Sequence, residues 1–229
     1  MTGLAPRFTI GEGYAVYRGP TTVGTLHRHA AFQIVIGIRD DVAVVDASGV
    51  RHRAATLVVA PMERHCLLAT KDVQTYFVEP HCVFADRLRE RYGDGITAAP
   101  ELRELSEDDV RPAGIRPSDE LDPRLVQALN MLQDKSIPLP TVAATVGLSP
   151  QRLRALARCQ LGMPLARWRV WTRLRRAAEA LQCGESLADA ASTAGFADQA
   201  HLTRQMREMM GLTPAAVLPA LRSQSLRAT

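Results

Sequence analysis

Two sets of side chains in this 229-residue chain have types and spacings that can do chemistry. The first is Ser149, Gln151, Arg152, Arg154 and Arg158, echoed about 48 residues later by Gln199, Ala200, His201, Thr203, Arg204 and Arg207. Amide and guanidinium groups on one helix face suit the reading of base edges, because Gln pairs with adenine and Arg with guanine through two hydrogen bonds each. The second set is His27, His29, Gln33 and His65. Two His at i, i+2 on a strand share one face. Three imidazoles and an amide can line a small-molecule pocket or hold a divalent transition metal.

The first set needs helices to hold it, and the flanking sequence supplies them twice. Val142-Ala143-Ala144-Thr145-Val146-Gly147-Leu148-Ser149 and Asp189-Ala190-Ala191-Ser192-Thr193-Ala194-Gly195-Phe196-Ala197 each read as a short Ala-rich helix that ends in a Gly turn. A second helix follows each, with Leu153, Leu156 and Leu161 buried in one and Leu202, Met206 and Met210 in the other. Ser149 with Pro150, and Asp198, are helix-start signals, and Gly162 and Gly211 are stops. This is helix-turn-helix grammar, whose second helix enters a DNA major groove. Between the units, Leu165–Leu181 reads as one long helix carrying Trp168, Trp171, Leu174, Ala178 and Leu181 inward, flanked by Arg167, Arg169, Arg173, Arg175 and Arg176. Such a helix would fix the two reading helices in successive major-groove faces, roughly 34 Å apart.

Charge follows the same division. Residues 1–119 hold 14 Lys+Arg against 16 Asp+Glu, and residues 120–229 hold 14 against 8. A net-basic half suits a polyanion partner, since each neutralised phosphate releases counterions. No apolar run approaches the roughly 20 residues that span a bilayer, and Met1–Gly13 has no basic start followed by an apolar core. The cysteines (Cys66, Cys82, Cys159, Cys183) are scattered, so a reduced, cytoplasmic protein without cofactors is expected.

Residues 120–220 resemble the DNA-binding domain of the AraC/XylS family of bacterial transcription regulators. The resemblance rests on Leu139-x-x-Val142-Ala143-x4-Leu148-Ser149-Pro150-x-x-Leu153, Leu161-Gly162-Met163, Arg173-Leu174-x-x-Ala177-x3-Leu181, Ala190-Ala191-x3-Gly195-Phe196-x-Asp198-Gln199 and Leu202-x-Arg204-x-Met206-Arg207-x3-Gly211-Leu212-Thr213-Pro214. It implies seven helices, two helix-turn-helix units and binding to double-stranded promoter DNA, with RNA polymerase as a further possible contact. The chain departs from the family at Ala155, Ala157, Ala200, His201, Leu202 and Leu218, so its target sequence is its own.

The second set lies in a β-rich half. Tyr14–Arg18, Phe32–Ile38, Val42–Asp46, Thr56–Ala60 and Val73–Val78 read as short strands between turn residues, followed by an amphipathic helix at Phe84–Tyr92 with Phe84, Leu88 and Tyr92 in line. His27, His29, Gln33, Pro61 and His65 resemble the two short motifs of cupin barrels, with Gln33 in place of the usual acid and Glu63 in place of a usual Gly. The expectation is an α+β chain: a cupin-like sensory β-barrel over 1–92, a linker over 93–119 with a short helix possible at Glu101–Leu105, and an all-α DNA-binding domain over 120–222. His27, His29, Gln33 and His65 are the candidate effector pocket, and His27, His29 and His65 also the alternative metal ligands; no resident metal is expected. The pairs His65-Cys66 and His81-Cys82 are read as buried strand residues. A repair enzyme with a methyl-accepting Cys would need a clustered four-Cys zinc site, which is missing from the sequence. The rival readings are a metal-binding cupin, sensor or enzyme, tethered to DNA, and a non-specific architectural binder. A homodimer is left open, with Phe84, Leu88 and Tyr92 as its available face.

Overall fold

A computed structural model describes residues 6–134 and 137–222. The N-terminal half contains β1 (Arg7–Gly11), β2 (Tyr14–Thr21), β3 (Phe32–Gly37), β4 (Val42–Asp46), β5 (Arg51–Ala54), β6 (Thr56–Val59), β7 (His65–Leu67), β8 (Thr70–Val78) and β9 (Ile96–Ala98). These form an antiparallel six-stranded sheet in the order β1-β2-β8-β3-β6-β9 and a three-stranded sheet β5-β4-β7. The two sheets close on a small core of Val35, Val42, Val44, Leu57, Val59 and Val73. The cupin-like half is thus built from two packed sheets.

Strand β3 shows why its sequence, Phe-Gln-Ile-Val-Ile, is apolar except for Gln33. All six of its residues are buried, because successive side chains point to opposite faces and both faces are covered. Val35 turns to the inter-sheet core. Phe32, Ile34 and Ile36 turn to the other face, under α1 (Val83–Tyr92) and α2 (Glu107–Ile115).

That outer layer corrects two expectations. The stretch 93–119 is not a bare linker. Strand β9 pairs with β6, a 3-10 turn covers Pro100–Leu102, and α2 starts at a Ser106–Asp109 capping box and buries Val110 in the same core as Phe84. Its Pro and Gly residues misled: Pro112 lies inside α2, and Gly114 packs against Glu12 and Tyr14 of the β1–β2 turn. Nor are Phe84, Leu88 and Tyr92 a free dimer face, since all three are buried in this chain's own core.

The C-terminal half has seven helices among the described residues: α3 (Pro123–Met131), α4 (Leu139–Thr145), α5 (Pro150–Leu161), α6 (Leu165–Gln182), α7 (Leu187–Thr193), α8 (Gln199–Met210) and α9 (Pro214–Arg222). Asp122 caps α3 by accepting from the Arg124 amide, with Pro123 in the first turn. Helix α6, about 27 Å long at 1.5 Å per residue, is the axle. Its Trp168 is fully buried and donates to the Leu129 carbonyl of α3 at 3.3 Å.

The two halves share a core. Ala30, Ala31 and Phe77 of the N-terminal half join the same buried cluster as Trp168, Trp171, Leu202 and Met209. At one point the contact is between a ring and a backbone: His27 lies on Gly211, the residue that ends α8 at φ 66°. A Cβ there would clash with the His27 ring, 2.4 Å from its Nδ1. Gly162 ends α5 with the same φ of 66° and has open space where its Cβ would go. The two glycines are therefore a matched pair, differing only in the docked half. Gly162→Ala should destabilise by about 1–2 kcal/mol, the cost of a left-handed alanine. Gly211→Ala should lose a further ~1–3 kcal/mol from overpacking. Equal losses in urea melts of the two variants would show that the His27–Gly211 contact carries no weight.

Candidate nucleic-acid interface and the histidine cluster beside it

Each reading helix is held by its own cap. Ser149 accepts from the Arg152 amide at 3.1 Å, and Asp198 accepts from the His201 amide at 2.6 Å. The supporting helices α4 and α7 are each seven residues long and begin 48 residues apart. The reading helices α5 and α8 are each twelve residues long and begin 49 apart. The turn Gly195–Asp198 is thus one residue longer than Gly147–Ser149. Counted from the caps, Gln151 matches Ala200 rather than Gln199, Arg152 matches His201, Arg154 matches Thr203, and Arg204 matches Ala155. Arg158 and Arg207 coincide.

Gln151, Arg152, Arg154, Arg158, Gln199, Ala200, Arg204 and Arg207 are all exposed. Three residues of the set are partly engaged within the protein. Ser149 is the cap itself. His201 is half-buried, edge-on to Phe196 at 5.3 Å, and its Nδ1 accepts weakly from the Ala197 amide. Thr203 donates to the Gln199 carbonyl at 2.9 Å. The inward stripe of α8 ends on Met209, which is fully buried, rather than on the half-buried Met210.

Four arginines of α6, Arg167, Arg169, Arg175 and Arg176, serve the fold. Arg169 donates to the Ile137 carbonyl at 2.6 Å, Arg176 to the Gln133 carbonyl, and Arg167 to Glu208 of α8. Arg175 reaches into the other half. It pairs with buried Glu79 at 3.1 Å and donates to the Gly11 carbonyl. Trp171 Nε1 donates to the same Glu79 oxygen at 3.0 Å, and Gln182 donates to the Phe8 carbonyl at 2.8 Å. Burial works against the Arg175 charge, but Glu79 and Glu179 outweigh it and raise its pKa. Glu79 was invisible in the sequence, since a single acid after a strand carries no signal. Beside these residues lies an apolar cavity of about 70 Å³ between the halves, walled by Phe8, Tyr14, Phe77, Trp171, Met206 and Leu221.

The candidate effector residues His27, His29, Gln33 and His65 come together and are nearly solvent-free, with the three His 6%, 2% and 0% exposed. His27 and His65 form a two-way backbone bridge, each amide donating to the other's carbonyl at 2.9 Å. His27 Nε2 lies 3.1 Å from His29 Nε2, and His65 Nε2 lies 2.6 Å from Gln33 Oε1. His27 Nδ1 faces the Thr25 carbonyl at 2.7 Å and His65 Nδ1 the Glu63 carbonyl at 3.0 Å. Burial lowers all three imidazole pKa values, that of His65 to about 3 and that of His29 well below normal. One ligand atom from each His lies within 4.8 Å of the others. The cluster abuts the DNA-binding half: His29 is edge-on to Trp171 at 6.2 Å, and the Met209 carbonyl of α8 lies against its ring. The sequence reading found the cluster but not this neighbour.

The His-Cys pairs part ways. Cys66 bonds the Gly24 carbonyl, and Cys82 is buried with its thiol pushed up to about 11 by burial, which disfavours a reactive thiolate. Cys159 and Cys183 are exposed.

Residues 142–219 match the family model described as a helix-turn-helix domain. The bifunctional transcriptional activator/DNA repair enzyme Ada of Escherichia coli K12 is 28% identical over 149 residues, 60% of this chain. The chain spans 40% of the length of that relative. ToxT from Vibrio cholerae O395 shares the fold with a TM-score of 0.60 at 11% identity, over 92% of this chain and 98% of ToxT. A structure of unsaturated fatty acid bound wild-type ToxT from V. cholerae strain SCE256 gives a TM-score of 0.58 at 12% identity, over 97% and 98% of the two chains. The chain thus carries a helix-turn-helix domain over residues 142–219, within a two-part fold shared with ToxT.

Proposed function

We propose that this protein is a sequence-specific transcription regulator without enzymatic activity, acting in the cytoplasm on double-stranded promoter DNA. The observation that carries the reading is the pair of capped, equal-length helices α5 and α8 with exposed Gln and Arg side chains, braced by one rigid helix. Among the described residues no helix is long and apolar enough to cross a membrane. The regulatory unit takes in β9 and α2, and so extends to about residue 116 rather than ending at 92.

Control comes from how the β-rich half sits on α6 and α8. ToxT has been crystallised with an unsaturated fatty acid, and the cavity between the halves here is apolar in the same spirit. At about 70 Å³ it is far below the ~300–1,000 Å³ of typical ligand sites. An effector of ordinary size that uses this cavity would therefore part β1 and β8 from α6 as it enters. Ligand binding and domain separation are then one event.

Selection from random duplexes should return an asymmetric site, because the only exposed residue the two reading helices share in register is the arginine nine residues after the cap. In binding assays with that site, Arg154→Ala and Arg204→Ala should each lose ~1–3 kcal/mol and relax preference at their own base pairs. Arg158→Ala and Arg207→Ala, further along their helices, should weaken all sequences alike and flatten the salt dependence. No preferred site above random duplex would favour an architectural binder instead.

A further inference from the structure

One row of side chains crosses three adjacent strands with its charges unmet. Arg7 of β1 pairs in register with Arg18 of β2, and Arg18 with Gln74 of β8, so all three stand on one face of the sheet. Like charges directly opposite on neighbouring strands repel. Arg89 and Arg175, half-buried as Arg18 is, meet acids: Arg89 has Asp86 and Glu120, and Arg175 has Glu79 and Glu179. Neither Arg7 nor Arg18 has an ion-pair partner among the described residues, and Arg18 Nε is sealed from solvent without a hydrogen-bond acceptor. Residues 1–5, 135–136 and 223–229 hold no Asp or Glu that could serve. A buried donor on a charged group is costly to leave unmade, so this row weakens the fold unless something outside the chain answers it.

The row lines a cleft of about 450 Å³, within the ~300–1,000 Å³ of typical ligand sites and several times larger than the cavity between the halves. Tyr76, also in the lining, belongs to the sheet face under α1 and α2, opposite the face that carries Gln33. The far wall is the entry to α2, at Leu105, Ser106 and Glu107. Tyr76 holds that wall at the sheet by donating to the Leu105 carbonyl at 3.0 Å. Glu107, the acid of the lining, is taken up by Tyr14 at 2.8 Å and by Arg111 at 3.5 Å. Ser106 is taken up by Asp109 in the capping box. The two guanidiniums are thus the charges left to act on whatever enters.

We propose that Arg7 and Arg18 clamp the oxyanion head of a small organic acid, a carboxylate or a phosphate ester, in this cleft, and that its binding steadies β1. Guanidinium forks match both head groups through paired hydrogen bonds. An anion shared by the two arginines also replaces their mutual repulsion with attraction to a common partner. The effect travels through β1 because its side chains alternate. Arg7 and Thr9 face the cleft, whereas Phe8 and Ile10 face the apolar cavity against α6. The Phe8 and Gly11 carbonyls accept from Gln182 and Arg175 of α6. Strand β1 is the edge of its sheet, held by β2 on one side. An anion that bridges Arg7 to Arg18 adds a second tie between these strands, on the strand that carries two of the contacts to α6. The site stands on the cleft alone; its use as a control input rests on the regulatory reading above.

The test uses the full chain with inorganic phosphate, glucose 6-phosphate and succinate as probes and glucose as the neutral control, read by calorimetry and thermal melts at constant ionic strength. At least one anion should bind with one-to-one stoichiometry and raise Tm by about 5–10 °C at about a hundredfold excess over its Kd. Preference for glucose 6-phosphate or for succinate tells a phosphate ester from a carboxylate. Exchange of the amides at 8–11 should slow when the anion is bound. Arg7→Gln and Arg18→Gln should each weaken binding about 10–100-fold, the loss of charge-assisted bonds, and without anion should melt no lower than the wild-type chain. Arg7 is exposed, so its variant carries the test even if Arg18→Gln does not fold. Arg51→Gln, on the edge strand β5 of the other sheet, should bind as the wild-type chain does. The proposal falls if no anion binds at about 10 mM, where even a millimolar site is filled. It falls equally if binding survives both variants, which is an adventitious ion only, or if the variants melt lower and bind unchanged, which makes these arginines packing residues. Binding with no slowing at 8–11 overturns the tie through β1. Selection from random duplexes without added anion decides the regulatory reading separately, so the two failures are distinguishable.

Discussion

The arrangement of this molecule hangs on one buried carboxylate. Glu79 leaves the end of the longest strand of the sheet and meets Trp171 and Arg175 on α6. A lone carboxylate in that position would be costly to bury. With an indole N–H and a guanidinium on one oxygen, its desolvation is offset by charge-assisted hydrogen bonds. The same helix that lies between the two twelve-residue helices α5 and α8 is therefore the one the N-terminal half grips. Phe77, two residues before Glu79 on the same strand, and Trp171 fill the apolar space beside the pair. The polar clamp sets register; the apolar contacts around it supply adhesion.

What could be read from the sequence divides along the same seam. Periodicity and caps in the C-terminal half specify local structure, so α5, α6 and α8 follow from Ser149-Pro150, the Trp168–Leu181 spacing and Asp198. Strands β3 and β4 were legible because they are runs of β-branched residues. Strands β1, β5 and β7 were not, since Arg51-His52-Arg53 and His65-Cys66-Leu67 have no strong pattern and are fixed by their partners instead. The outer layer at 93–119 was hidden behind its Pro and Gly content, because what orders it is the face of β3 that it covers.

The candidate residues behaved in two ways. The exposed set on α5 and α8 was readable by type, because helical spacing alone puts those side chains outside. The cap-based register was not, as it depends on one extra residue, Ala197, in the second turn. The histidines were legible as a cluster but not as a contact. Only the docked fold sets them against Trp171, Met209 and Gly211. Long-range juxtapositions of this kind leave no trace in a single sequence.

The shared core has a consequence for modularity. Ala30, Ala31 and Phe77 complete the apolar cluster around Trp171, so each half supplies part of the other's packing. Exchanging the N-terminal half with that of a relative would leave the C-terminal half with a mismatched floor, unless the donor also carried small residues at 30 and 31, an aromatic at 77 and an acid at 79. The two halves are therefore constrained to diverge together, and new input specificity has to arise away from this seam or by change on both sides of it.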